Sequence, residues 1–281
     1  MVMVNLSGEN QNSLWIAAGR EYLRYLRSKN RSPDTLESYA GAIKRASHLH
    51  LTRDAIEGYF DSLWQTSKPA TVLHHHKNLR AFLNWCVRAG YLAANPMNGI
   101  PEPRVRPNIV EPYTPEQARA LYAAAASLRD RVLVAVLLNT GIRIGEMRSL
   151  KPADVHSGRL LIHGKGSRQR WVGIEPRTET LLKSHISMSP AETVFGVERR
   201  TLYWAIRRMG DRAGVPKAHP HRFRDTFAVR FLENGGNIDD LQVILGHSNI
   251  SMTLRYIQWG RAERAIQGQM QYAPSVYNRA Q

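Results

Sequence analysis

RLLIHGKGSRQRWVGI, residues 159–174, breaks an otherwise helical pattern. Short apolar runs on either side of Gly164-Lys165-Gly166-Ser167 mark a small β-hairpin. The turn is not a phosphate loop, because the G-x-x-x-x-G-K-[ST] spacing is absent. Upstream, Thr114 and Gln117 bracket Pro115 as a capping box, Thr at the cap and Gln three residues on. From there, helices are predicted over about 115–126, 129–139 and 143–150. VLVAVLL, 132–138, is the longest apolar run. It suits a buried helix and falls far short of the ~18 residues a membrane span needs. Downstream of the hairpin the helical pattern resumes to about residue 268, followed by a loose polar tail.

Further upstream, residues 13–100 read as helical throughout. Trp15, Ile16, Tyr22, Leu23 and Leu26 share one face, and Leu36, Tyr39, Ala40 and Ile43 form the next stripe. Ser32-Pro33 and Thr52 are start signals, and Gly90 is placed to end the fourth helix. His74, His75 and His76 read as a polar face of that helix. IPEPRVRPNIVEPYTP, 100–115, has five prolines and no period, and reads as an extended linker. The expected fold is therefore mainly α. A helical domain over 1–100 and a linker over 101–113 precede a mixed, mainly helical domain over 114–281 with a small antiparallel sheet.

Lys plus Arg number 39 against 23 Asp plus Glu, a net charge of +16, and 31 of the basic residues are Arg. Guanidinium forks match phosphate oxygens, so this balance points to nucleic acid. Residues 1–105 hold 13 basic and 8 acidic side chains, and 106–281 hold 26 and 15, so both parts are positive. The single cysteine, Cys86, excludes intramolecular disulfides and a cysteine-based zinc site, and suits a reducing cytosol. The first residues carry no basic region followed by an apolar run, so no signal peptide is expected.

Four segments hold candidate chemistry: TGIRIGEMRSL (140–150), HGKGSRQR (163–170), HPHRFRDTFAVRFL (219–232) and LGHSNISMTLRYIQ (245–258). Each alone has a plain structural reading. Arg143 at a helix start pairs with Glu146, Lys165 is an exposed turn residue, and Tyr256 is packing. His219 and His221 lack accompanying Cys or spaced carboxylates, so no metal is expected.

Taken together and in this order, the four segments resemble the active site of the tyrosine recombinases, the phage integrase family. The pattern is T-G-hydrophobic-R-x-x-E, then G-K-G, then H-x-x-R, then L-G-H with Tyr nine residues later. The helical N-terminal part looks like that family's core-binding domain, so the likeness covers nearly the whole chain. It implies that Tyr256 is the nucleophile and that Arg143 and Arg224 grip the scissile phosphate. His221 would be the general base, Lys165 the acid for the leaving 5′ oxygen, and His247 a further phosphate donor, with Glu146 supporting the site. One departure stands out: the family often has His after the second arginine, where this chain has Asp225. That position lies outside the family's catalytic set, and only local helix contacts are expected of it.

The same resemblance implies a site-specific recombinase acting on double-stranded DNA through a 3′-phosphotyrosyl intermediate and a Holliday junction. No cofactor or metal is implied, since the covalent bond conserves the energy for rejoining. A homotetramer on two DNA sites, a monomer when free, a directionality factor as accessory, and a cytoplasmic, nucleoid-associated place all follow from the resemblance. With the first helix beginning near residue 13, no arm-binding domain is expected. Residues 259–281 are expected to dock on a neighbouring protomer. Expected DNA contacts are Lys44, Arg45, Lys77 and Arg80 in the first domain, and Arg168, Arg170, Arg199, Arg200, Arg207 and Arg208 in the second. The biological roles are integration or excision of a mobile element, or Xer-type dimer resolution. The rivals of another class are a type IB topoisomerase, a non-enzymatic DNA-binding regulator and an RNA-binding protein.

Overall fold

A computed structural model describes residues 8–105, 110–164 and 168–272. The chain divides into two compact units, Met1–Asn108 and Ile109–Gln281.

The first unit is built from α1 (Gly8–Ser28), α2 (Pro33–Ala46), α3 (Arg53–Thr66) and α4 (Pro69–Arg88). The Thr52 hydroxyl accepts the Ala55 N–H to start α3, satisfying one of the donors a helix start leaves unpaired. Ser32 precedes α2 without a side-chain cap; its hydroxyl bonds Thr35 instead. Apolar faces of all four helices close over one core. There Trp15 stacks on Phe82 at 5.6 Å and Tyr22 meets the edge of Tyr39 at 5.4 Å. Helix does not run through to residue 100: α4 ends at Arg88, Gly90 takes φ +81°, and 91–105 form turns and extended chain. The histidine run is not a polar face either. Only His74 is exposed; His75 and His76 are buried, with His75 held by the Tyr59 hydroxyl.

The second unit contains α5 (Pro115–Ala123), α6 (Leu128–Thr140), α7 (Ile144–Ser149) and a 3-10 turn (Pro152–Asp154). It continues with β1 (Val155–His156), β2 (Arg159–His163), β3 (Gln169–Gly173), α8 (Pro176–Met188), α9 (Arg199–Arg212), α10 (Pro220–Glu233), α11 (Ile238–Leu245) and α12 (Ser251–Tyr272). The capping box at Thr114 forms with both of its bonds. The VLVAVLL run lies in α6, which is buried on most sides. Strands β2 and β3 pair antiparallel as a hairpin, and β1 adds a third, two-residue strand. Leu160, Ile162 and Val172 turn inward from the sheet to the core. The end of the expected linker belongs to this unit: Val110 and Tyr113 are buried, and the Tyr113 N–H bonds the Thr226 hydroxyl. No described helix is long and apolar enough to cross a membrane.

Candidate active site

Two helix ends organise the site. Both α6 and α11 stop at a glycine in the left-handed region, Gly141 at φ +63° and Gly246 at φ +64°. Glycine adopts that conformation without the Cβ clash other residues suffer. Each end leaves carbonyls with no partner along the helix and carries partial negative charge. Guanidinium groups fill that need. Arg224, from α10, donates to the Gly141 carbonyl at 2.9 Å and the Leu245 carbonyl at 2.7 Å. Arg143, capping α7, reaches the Leu245 carbonyl at 3.5 Å. Arg170, from β3, donates through Nε to the Ile244 carbonyl at 2.6 Å.

Glu146 ties two of these arginines together. It receives Arg170 at both oxygens, each at 2.9 Å, and Arg143 through its guanidinium at 3.1 Å and its backbone N–H at 2.9 Å. Burial alone would raise the Glu146 pKa, but the Arg170 and Arg143 bonds and charges hold it below the usual carboxylate value. Arg170, expected as a DNA contact, is placed by the hairpin against Glu146. It sits opposite Ile162 in the hairpin, on the face that also carries Val172. Each of its three nitrogens donates inside the protein, to Glu146 and to the Ile244 carbonyl.

Arg224 is different. Its side chain is 1% exposed, and Nε has no partner. Among the described residues no carboxylate pairs with it; its partners are carbonyls. Burial, with Arg143 nearby, lowers its pKa to about 10, so it stays charged at neutral pH. Arg143 sits beside it with its side chain 40% exposed.

Tyr256 lies in the second turn of α12, 1% exposed, packed with Val110, Ala228, Val229, Leu241 and Leu245. Its hydroxyl donates to Asp225 Oδ1 at 2.8 Å and accepts from Arg255 Nη2 at 2.7 Å. The same Arg255 nitrogen also donates to Asp225 Oδ1 and lies 3.0 Å from His221 Nε2. The acceptor of the tyrosine proton is thus Asp225, and His221 stands behind Arg255, 3.7 Å from Asp225. Burial first, then the Asp225 charge, raise the Tyr256 pKa, and Arg255 pulls the other way. Neither Asp225 nor Arg255 was expected at the hydroxyl. The available signal was the departure from His at 225 together with the i,i+4 spacing from His221, which puts both on one helix face.

His247 follows the α11 end, with Nδ1 2.8 Å from the Thr253 hydroxyl. Burial, then Arg224 and Arg143, push its pKa down to about 3, so it is neutral at ordinary pH. His219 does not face a ligand: it caps α10, its Nδ1 accepting the Arg222 N–H. No cluster of metal-binding side chains occurs among the described residues. Lys165 lies outside the described residues.

The remaining expected DNA contacts are spread over both units. Lys44, Arg45, Arg168, Arg200 and Arg208 are exposed. Lys77 is exposed but pairs with Glu102 at 3.2 Å. Arg80 and Arg207 are partly buried and each reaches a backbone carbonyl, of Met97 and Ala218.

A tyrosine ringed by guanidinium groups in a mainly helical domain is the pattern of the tyrosine recombinases. Residues 112–262 match the Phage integrase family, more than half of the chain. A tyrosine recombinase XerC of Yersinia pestis is 29% identical over 196 residues, 63% of this chain and 65% of that protein, so the match spans just under two thirds of its length. A tyrosine recombinase of Pseudothermotoga lettingae is 28% identical over 264 residues, covering 84% of this chain and 91% of that protein. A lambda integrase dimer bound to a COC′ core site shares the fold, with a TM-score of 0.72 at 17% identity over 85% of this chain and 76% of that one. The chain belongs to the phage integrase family.

Proposed function

We propose that this protein cuts and rejoins double-stranded DNA at specific sites through a covalent bond between Tyr256 and a 3′ phosphate. The observation that carries this reading is Arg224, a buried guanidinium that no carboxylate among the described residues bonds and whose Nε has no partner there. Such a charge is costly unless an anion joins it, and a scissile phosphate is that anion. Around it Arg143, Arg170, Arg224 and Arg255 stand against Glu146 and Asp225, leaving two positive charges in excess. A phosphodiester carries one negative charge and gains a second as it is attacked, so the excess matches the transition state better than the ground state.

Tyr256 attacks phosphorus while Arg143 and Arg224 hold the non-bridging oxygens. His247 donates a further hydrogen bond from Nε2, its tautomer fixed by the Thr253 hydroxyl at Nδ1. Lys165 on the hairpin turn gives the leaving 5′ oxygen its proton. The phosphotyrosyl bond conserves the energy of the broken ester, so rejoining to a second strand needs no external energy source. Lys44, Arg45, Lys77, Arg80, Arg168, Arg200 and Arg207 supply phosphate and groove contacts. Strand exchange proceeds through a Holliday junction in a tetramer on two sites, with residues 259–281 docking on a neighbour. The exposed Ile266 in the distal part of α12 supports that docking. Relatives named XerC favour dimer resolution as a second reading beside integration and excision of a mobile element.

The test is covalent trapping. Wild type and Tyr256→Phe are incubated with a randomised duplex library in EDTA, and adducts are read on a denaturing gel. An adduct that needs Tyr256 and leaves free 5′-hydroxyl ends is expected, and it also reports the site sequence. Tight sequence-specific binding without any adduct would turn the reading to a DNA-binding regulator.

A further inference from the structure

We propose that Asp225, the residue following the second phosphate-gripping arginine, is the immediate acceptor of the Tyr256 proton in DNA cleavage, with Arg255 as its positioning partner. The inference rests on the recombinase reading above and adds to it a catalytic residue that the family's motif does not contain.

Geometry carries it. A general base must lie within hydrogen-bond reach of the proton it takes. Asp225 Oδ1 is 2.8 Å from the Tyr256 hydroxyl, in the donor's direction. His221, the expected base, directs Nε2 at Arg255 instead, at 3.0 Å. A nitrogen that accepts from a guanidinium has no lone pair left for a phenol proton. Among the described residues, the other charged groups acting on the hydroxyl are Arg224 on α10 and Arg255 on α12, with Arg143 and His247 next to Arg224. The arginines can only donate. His247 is occupied at Nδ1 by Thr253. Among the described residues, Asp225 is the one group in contact with the hydroxyl that can accept.

The neighbourhood also sets the timing. A phenolate beside a buried carboxylate is disfavoured, so Tyr256 does not ionise first and attack later. The proton leaves as the oxygen–phosphorus bond forms. The Tyr256 O–H bond breaks with its proton passing to Asp225 Oδ1, the tyrosine oxygen bonds phosphorus, and the bond from phosphorus to the 5′ oxygen breaks. That oxygen takes its proton from the general acid, and the reverse steps restore both groups on rejoining. Arg255 contacts both oxygens between which the proton moves. It donates to Asp225 before the transfer and meets the charge that grows on the tyrosine oxygen.

The test uses the full chain and a duplex carrying the trapped site with a nick beside the scissile phosphate, so that cleavage cannot reverse. Adduct formation is timed for wild type, Asp225→Asn, Asp225→Glu and His221→Gln, from neutral pH up to the phenol's own pKa of about 10. Asp225→Asn is expected to be about 10²–10⁴-fold slower at neutral pH. Its deficit should shrink as pH rises, because hydroxide then ionises Tyr256 directly, and Asp225→Glu should recover part of the rate. A sulfur in place of the 5′ bridging oxygen leaves without a proton, so it should not rescue Asp225→Asn. An undiminished rate, a loss independent of pH, or rescue by the sulfur substrate would each overturn the assignment. A wild type that forms no adduct on any DNA removes the recombinase reading itself, a different failure. A DNA-free measurement covers a variant that binds DNA poorly. The phenol absorbance titration of Tyr256, taken as the difference from Tyr256→Phe, should move to lower pH in Asp225→Asn. No movement would mean that the hydrogen bond is absent, and the assignment would fall.

Discussion

Arg224 holds a full positive charge where, among the described residues, only carbonyl oxygens bond it, and that arrangement makes it a sharp probe of the site. Lysine keeps the charge but cannot span the Gly141 and Leu245 carbonyls while presenting a third donor to phosphate. Arg224→Lys is expected to slow adduct formation about 10²–10³-fold, as loss of one preorganised donor does, while DNA affinity in a filter assay changes by far less. His247 gives a second expectation at this scale, in pH. Folded His247 stays neutral down to about pH 3, whereas the ordinary value is 6.5. Between these the unfolded chain binds the extra proton, so stability rises with pH across that window and is lost as pH falls through it. The contribution is on the order of a few kcal/mol. Urea denaturation of the DNA-free protein should therefore weaken on acidification, and His247→Gln should make that loss shallower. It will not abolish the loss, because His75, His76, His185, His219 and His221 are lowered in the same direction.

Between elements, the pair of Glu146 and Arg170 joins α7 to the hairpin and, through the Ile244 carbonyl, to the end of α11. Removing one member of a buried pair strands the other, at a cost of about 3–5 kcal/mol. Glu146→Ala should show that loss in chemical denaturation and should also cut cleavage, because Arg143 loses its anchor. Gly141 is equally constrained. A Cβ there would fall 2.4 Å from Phe227 Cδ1, on a backbone at φ +63°. Gly141→Ala should destabilise by more than about 1 kcal/mol and shift the carbonyl that holds Arg224. The caps, the buried α6 run and the hairpin were legible in the sequence because each is a local rule, a turn residue or a period. Arg170 was not, although the alternation that turns Val172 inward applies to it two residues earlier. The strand Val155–His156 is too short to show a period. Asp225 and Arg255 flank the motif positions and reach the hydroxyl only once α10 and α12 pack together. The histidine run misled because composition alone does not say that two of three neighbours on α4 face the core.

Across the whole molecule, the two units have separate cores, one aromatic-rich around Trp15, Tyr22 and Phe82, the other around α6. Among the described residues, the side chains assembled around Tyr256 come from residues 110–256. A fragment of residues 109–281 should therefore fold by itself, with a cooperative thermal transition, and still form the Tyr256 adduct. What it gives up is electrostatic reach. Residues 1–105 add 13 basic against 8 acidic side chains, and every phosphate they neutralise steepens the fall of affinity with salt, by about 0.9 in the logarithmic slope. The fragment should bind its site at least about tenfold more weakly at low salt, with a shallower salt slope than the full chain. If the first unit contributed shape without phosphate contacts, the slopes would coincide. A fragment that melts without a cooperative transition would instead show that the second core needs the first. Titrating both proteins against one labelled duplex at several salt concentrations separates these outcomes.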